Sequence, residues 1–295
     1  MNSAGDRPRA PIGADAPKGK NLAANRYVPE IFVRNPRFCR NGTLSPDWLG
    51  SGPVATAWFT ALSASFPRGE AYFIQSIRAN HEALPPRLAQ DVAAFIAQES
   101  NHSREHDVFN RLAAQAGHDL SAIDARLAAF IAQTSQASNF VNLLVTACLE
   151  HFTAIIARDV LLHPDLFAQA DPEIAALWRW HALEEIEHKG VAFDLWMHIA
   201  RHLSPRRRYK IRCKLMLKVS IAFLLHRTRD ARELLEQQGV PRREARRLLR
   251  AYLWGRSGAL RRILPAWATW LRPGFHPWDQ DDRALLEAEA QRAAA

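Results

Sequence analysis

The sequence predicts an all-α protein: a ferritin-like four-helix bundle carrying an additional helical C-terminal region. Three observations point there. After Pro53, apolar residues recur at steps of three and four almost throughout, no alternating strand pattern of useful length occurs, and Pro and Gly fall where the periodic stretches stop. With 295 residues, 48% of them hydrophobic, the chain is long enough to bury a large core.

The elements follow in order. Residues 1–25, rich in Gly, Pro, Ala and charge, are expected to be a disordered tail. An irregular lead-in reaches Gly52, so that residues 26–204 form the lead-in and bundle and residues 205–295 a basic helical extension packed on it. Helix 1 is expected from Val54 to Ala83 with a kink at Pro67, because Phe59, Leu62, Phe66, Phe73 and Ile77 share one face. Helix 2 starts near Pro86 and stops before Gly117. A short helix from Leu120 to Thr134 crosses the bundle, and helix 3 spans Ser138 to Leu162, with Pro164 just beyond. Helix 4 opens with Asp171 as cap and Pro172 in its first turn, and is expected to run to Leu203. Further helices are expected at 206–227, 228–238, 242–256 and 258–271.

Composition bounds the partners. The formal charge of +9 is densest in Arg-rich stretches such as Pro205 to Lys210 and Pro241 to Arg250, which admits an anionic partner. No RNA-binding signature, zinc finger or glycine-rich phosphate loop accompanies it, so nucleic acid is not expected. The run Ile211 to Leu225 is too short and too interrupted by Arg212, Lys214 and Lys218 to span a bilayer, though it suits peripheral contact with a membrane surface. Cys39, Cys148 and Cys213 are odd in number and far apart, against a disulfide framework. A cytoplasmic location, if peripheral then at the inner membrane face, is the expectation, and a homodimer is compatible with the sequence.

The chemistry lies on four apolar stripes. Helix 4 places Ile174, Trp178, His181, Glu185, His188, Ala192, Leu195 and Ile199 on one face. At about 100° per residue, His181, Glu185 and His188 fall at about 0, 40 and −20°, so all three aim at one point beside the helix. On helix 2, Glu99 and His102 have the Glu-x-x-His spacing within the stripe Val92, Phe95, Phe109 and Leu112, and His106 lies one turn on. Helices 3 and 1 each set one carboxylate in an apolar stripe: Glu150 between Ala147 and Ala154, and Glu70 between Phe66 and Phe73.

Four buried carboxylates at one level would repel one another unless cations are supplied, and Lys and Arg are absent from these stripes. Two divalent ions balance four glutamates while histidines bind as neutral imidazoles. One Glu from each of two helices plus Glu-x-x-His from each of the other two is the pattern of di-iron and di-manganese carboxylate bundles. His181 is read as a ligand, with a hydrogen-bond donor to a ligand as its alternative; His106 is read mainly as an orienting residue. Glu184 and Glu187 point off the stripe, toward solvent or Arg side chains, and Cys148 and Thr153 are read as packing residues.

The stretches Phe66-Pro-Arg-Gly-Glu70, Glu99-Ser-Asn-His102-Ser-Arg-Glu-His106, Leu149-Glu150-His151-Phe152-Thr153 and Trp180-His181-Ala-Leu-Glu-Glu185-Ile-Glu-His188-Lys189 resemble the bacterial family named as predicted metal-dependent hydrolases. The similarity runs from about residue 27 to Arg272–Trp278. The spacing His181-x-x-x-Glu185-x-x-His188 is also similar to the last ligand helix of di-iron arylamine N-oxygenases, in which an added histidine gives four Glu and three His ligands. Carried over position by position, that resemblance implies Glu70, Glu99, His102, Glu150, His181, Glu185 and His188 as the metal ligands.

The leading expectation is an oxidase or oxygenase with two divalent ions, iron before manganese or zinc, using O₂, a small organic substrate and an electron-donor protein. The alternative enzyme is a two-metal hydrolase, in which a metal-bound hydroxide attacks an ester, amide or phosphate. A non-catalytic metal-binding or membrane-associated helical protein is the third reading.

Overall fold

The computed structural model describes residues 27–40, 42–80 and 83–294; the expected tail at 1–25 lies outside them. Among the described residues the chain is helical with no strand: α1 Pro53–Ser63, α2 Phe66–Arg78, α3 Pro86–Gln115, α4 Ser121–Thr134, α5 Asn139–Leu162, α6 Pro172–His188, α7 Val191–Ile199, α8 Pro205–Gln237, α9 Arg242–Trp254, α10 Ala259–Thr269 and α11 Arg283–Ala294.

Local chemistry sets most of these boundaries. Pro67, Pro86, Pro172 and Pro205 each sit in a first turn, where the missing N–H costs nothing. Asp171 caps α6 by accepting a hydrogen bond from the Glu173 amide at 2.8 Å, and Gly117, at φ 101°, takes the left-handed turn that ends α3.

Helices α2, α3, α6 and α5 pack pairwise in a closed ring, α2 on α3, α3 on α6, α6 on α5 and α5 on α2. Around it, α1 and α5 hold α8, α4 lies on α2, α7 lies on α5 and α3, and α10 on α5 and α9. The lead-in is irregular as expected, yet it buries Trp48 and Leu49 against the ring helices; Trp48 stacks on Trp178 at 6.1 Å and donates its indole N–H to Thr60 Oγ1 at 2.9 Å.

Four expectations need correction. The first helix is two, α1 and α2, divided at Ala64–Ser65 just ahead of the helix-breaking Pro67. The fourth is also two, α6 and α7, because the helix breaks at Lys189–Gly190; a Cβ at Gly190 would collide with the Trp278 indole. Helices expected at 206–227 and 228–238 are the single helix α8, since no Gly or Pro interrupts it. Helix α11 was not expected at all; it packs on α6, where Arg179 pairs with Glu289.

Helix α5 is long and apolar enough to cross a membrane, but 67% of its apolar window is buried inside the fold, as suits a core helix.

Candidate metal centre

Each ring helix delivers charged or imidazole side chains to its inner face. Helix α2 brings Glu70, α3 brings Glu99 and His102, α5 brings Glu150, and α6 brings His181, Glu185 and His188. All seven are buried, none more than 4% exposed. The helical spacing that aligned them in sequence therefore converges in three dimensions.

Glu185 is the hub. Its Oε1 lies 3.0 Å from His181 Nε2, 3.5 Å from His102 Nδ1 and 3.6 Å from His188 Nε2. His188 Nε2 also lies 3.1 Å from Glu99 Oε1 and 3.3 Å from Glu150 Oε2, while Glu70 Oε1 is 3.9 Å from His181 Nε2. Donors each about 2.1 Å from one ion stand about 3 to 3.5 Å apart around it, so this spacing is that of a coordination shell. Two groups have donor atoms mutually within 4.8 Å: Glu70, His102 and His181, and Glu99, Glu185 and His188. Glu150 joins the second through His188.

The outer ring nitrogens decide which atoms are free. His188 Nδ1 lies 2.9 Å from Gln98 Oε1, an acceptor, so Nδ1 donates there and Nε2 is the nitrogen turned toward the cluster. His102 Nε2 donates to Glu184 Oε2 at 3.0 Å, which leaves Nδ1 facing inward. His181 Nδ1 meets His106 Nε2 at 2.6 Å, His106 Nδ1 meets Ser63 Oγ at 2.8 Å, and Ser63 donates to Asn110 Oδ1 at 2.7 Å. Read from Asn110 back, the relay has His181 donating through Nδ1 and offering Nε2 to the cluster. Metal-binding histidines are oriented in this way by what their second nitrogen touches.

Inside, the opposite holds: Glu70 Oε1, both oxygens of Glu99 and Glu150, Glu185 Oε2, His102 Nδ1 and His188 Nε2 are buried with no hydrogen-bond partner. An unsatisfied buried carboxylate costs several kcal/mol. These orphaned atoms are the ones a pair of cations would satisfy, so the residues fit two metal ions.

The electrostatics agree. Burial, reinforced by Glu99, pushes the Glu70 carboxyl well above the usual carboxylate range, and burial together with Glu185 does the same to Glu150. Burial works against ionisation of Glu185 too, but the charge of His188 and the adjoining His181 and His188 rings hold it well below that range. Burial opposes the His188 imidazolium, and the surrounding Glu185, Glu150 and Glu99 outweigh it, pushing His188 well up. Burial, reinforced by His181, keeps His102 and His106 neutral, with both well below the usual range. The site thus gathers protons where cations would otherwise stand.

Several residues of the surrounding shell escaped sequence reasoning. Glu184 and Glu187, expected toward solvent or Arg side chains, are buried at 0% and 4% exposure and meet an Arg, Arg34 of the lead-in, whose identity the sequence did not give. Arg34 donates to Glu187 Oε1 and Oε2 at 2.8 Å and to Glu184 Oε1 at 3.3 Å. Gln98 Nε2 then donates to Glu187 Oε2 at 3.0 Å, closing a chain from His102 through Glu184, Arg34, Glu187 and Gln98 to His188. Ser103 donates to Glu70 Oε2 at 2.8 Å. The one sequence signal was position: Gln98, Glu184 and Glu187 each immediately precede a residue of the inner stripe. His106 orients His181, and Cys148 packs in the core with its thiol pushed up by burial. Thr153, read as packing, instead lines a cavity.

That cavity, of about 330 Å³, lies between α2, α4, α5 and α8, with Phe66, Phe73, Phe130 and Phe223 among its walls and Glu70 and Glu185 reaching it from the cluster. A smaller space of about 40 Å³ shares Phe66, Thr153, Glu185 and Phe223 and extends to His181. A larger open groove between α8 and α9 is lined by Arg229, Arg232, Arg246 and Arg250 and touches none of the seven residues.

An all-helical fold with a dry carboxylate and imidazole cluster, its free donor atoms turned inward, defines a metal-binding helical protein. The chain belongs to the family of predicted metal-dependent hydrolases, whose family model matches residues 32–281. Searches of curated proteins and of solved structures give no match.

Proposed function

We propose that this chain is a metal-dependent enzyme in which Glu70, Glu99, His102, Glu150, His181, Glu185 and His188 hold two divalent ions at the inner face of a ferritin-like helical ring. The substrate is an organic molecule seated in the apolar cavity beside Glu70 and Glu185. The observation that carries this reading is the set of orphaned donor atoms, all directed inward while every second ring nitrogen is held. Family membership supplies the reaction class, metal-dependent hydrolysis.

Bound ions would supply Lewis acidity and a water acidic enough to attack at neutral pH. The chain's own contribution is separate. Glu185 spans both donor groups, Gln98, Glu184 and His106 fix the imidazole rings, and Phe66, Phe73 and Phe223 exclude bulk water from the approach. Within the cavity, the carboxylates of Glu70 and Glu185 and the imidazole of His226 are the basic groups that line the space.

A second reading, oxidation of the substrate by O₂ with an electron-donor protein, is favoured by a specific observation. Seven protein donors surround the two positions, three of them imidazoles and none a thiolate, which suits iron or manganese and leaves few coordination positions for both water and a substrate oxygen. Elemental analysis of the purified protein separates the two readings first. Zinc-loaded protein that cleaves aryl esters and ignores O₂ supports hydrolysis; ferrous protein that develops a transient visible absorption on mixing with O₂ supports oxidation. Protein that binds no divalent ion under either condition removes both.

A further inference from the structure

The apolar cavity carries an inference about the substrate. Its interior walls are aromatic and aliphatic, contributed by Phe66 and Phe73 of α2, Leu127 and Phe130 of α4, and Val145 and Leu149 of α5. Burying an unpaired polar group among them would cost about 1 to 3 kcal/mol, so the occupant's inner part is hydrocarbon. The volume falls in the range of small-molecule sites.

The cavity is also electrostatically polarised. Its floor is the cluster, reached by Glu70 and Glu185. Arg227 lines it too, but its guanidinium is committed to the Ala61 carbonyl at 2.9 Å and to Asp230 at 2.7 Å. At the solvent end stands Lys218, exposed and joined to no acidic side chain among the described residues. Leu217, Ile221 and Leu225 of the same helix are 47%, 61% and 68% exposed and recur every four residues, an apolar stripe outside the cavity.

From this polarity we infer, resting on the second, oxidative reading of the proposed enzyme with O₂ as oxidant and an electron-donor protein as reductant, that the substrate is an anionic amphiphile. Its acyl chain runs inward along the phenylalanines toward Glu70 and Glu185, and its anionic head pairs with Lys218 at the mouth. The reacting position is therefore on the chain or at its inner end, away from the head. The same chemistry is available as a free fatty acid or as the acyl part of an anionic phospholipid.

Titration calorimetry on the full-length, metal-loaded protein tests this with dodecanoate, dodecanol and butyrate. Dodecanoate and dodecanol are expected to bind, and butyrate to show no saturable binding. Lys218→Glu should weaken dodecanoate by about fivefold, the upper end of one solvent-screened ion pair, and leave dodecanol unchanged. Ala222→Trp, which fills the cavity from α8, should abolish binding of both long chains while metal content and thermal midpoint stay at the parent values. Butyrate binding as tightly as dodecanoate, or long-chain affinities unaltered in Ala222→Trp, would overturn the inference. Repeating the titration on metal-free protein keeps it distinct from the metal reading: chain binding without metal preserves the cavity's role even if the cluster holds no ions, whereas full metal content without chain binding removes only the amphiphile. Cosedimentation with phosphatidylglycerol vesicles, lost in Lys218→Glu, would identify the bilayer as the source; protein staying in the supernatant assigns the free acid.

Discussion

Buried charge occurs in two regions of this molecule and is treated in opposite ways. In the outer layer, each buried cation finds all its partners within the chain. Arg227 has Asp230 and the Ala61 carbonyl, Arg212 has the carbonyls of Trp270 and Arg272, and Lys189 has Asp282 at 2.7 Å and the Gln280 carbonyl at 2.9 Å. In the inner cluster, Glu70, Glu99, Glu150 and Glu185 meet imidazoles and, at Glu70 alone, the Ser103 hydroxyl, and several of their oxygens meet nothing. A fully paired buried charge is a structural fastening, whereas a buried set left unpaired needs something from outside the chain. The contrast separates architecture from function without reference to any relative.

The largest expected effects would break the contrast at the cluster. Glu99→Ala or His188→Ala should each lose at least one equivalent of metal, read by elemental analysis, while the helical circular dichroism persists. Glu187→Ala should retain both ions at saturating metal, because Glu187 reaches the cluster only indirectly, through Gln98 and through Arg34. Full occupancy in both ligand variants would contradict the assignment.

Next comes the outer layer. Arg227→Met should cost about 3 kcal/mol in urea unfolding, since the Ala61 carbonyl and half of the Asp230 charge lose their partner, and it should leave metal content untouched. Combining it with Asp230→Leu should recover most of that loss, because Arg126, the other partner of Asp230, still has Glu233. A metal deficit in Arg227→Met would show that the two regions are not independent.

How far this division was legible in the sequence depends on range. Glu99 with His102, and His181 with Glu185 and His188, lie within one or two turns of a single helix, where periodicity alone puts them on one face. The apolar neighbours Phe95 and Trp178 marked that face as interior. The need for glycine at position 190 was not legible, because the Trp278 indole that a Cβ would strike is far away in the chain and approaches only in three dimensions. For the same reason Arg34 could not be connected to Glu184 and Glu187: nothing in an irregular lead-in fixes where its side chains go. The fusion of the two expected helices into α8 was a local misreading, since no Gly, Pro or cap separates them.

A smaller effect sharpens the role of the Arg34 chain. Glu184→Gln removes the charge that favours His102 in its Nδ1-free tautomer while keeping an acceptor, so metal affinity should fall about tenfold to a hundredfold with stoichiometry unchanged at saturation. Arg34→Met should act on both donor groups at once, weakening metal by at least as much, as measured by competition with a chromophoric chelator. An Arg34→Met protein with parental affinity would mean that the outer shell merely packs.

The smallest effect lies outside both regions and calibrates them. His118, just after Gly117, is kept neutral chiefly by burial, which lowers it from the usual histidine range against the opposing hydrogen bond to the Pro46 carbonyl at 2.9 Å. Above about pH 6.5 the folded and unfolded chains both carry a neutral imidazole, and His118 adds no pH dependence. As pH falls through that value the unfolded chain takes up a proton that the folded chain still refuses. Stability therefore declines, by at most about 1.4 kcal/mol per pH unit, until the lowered folded-state value is passed and the decline stops. His118→Gln cannot titrate, so its urea midpoint should fall less steeply than the parent's in the window just below pH 6.5. An identical slope in both proteins would show that His118 does not contribute to the acid response, which would then rest on other buried imidazoles such as His151, lowered by burial to about 4.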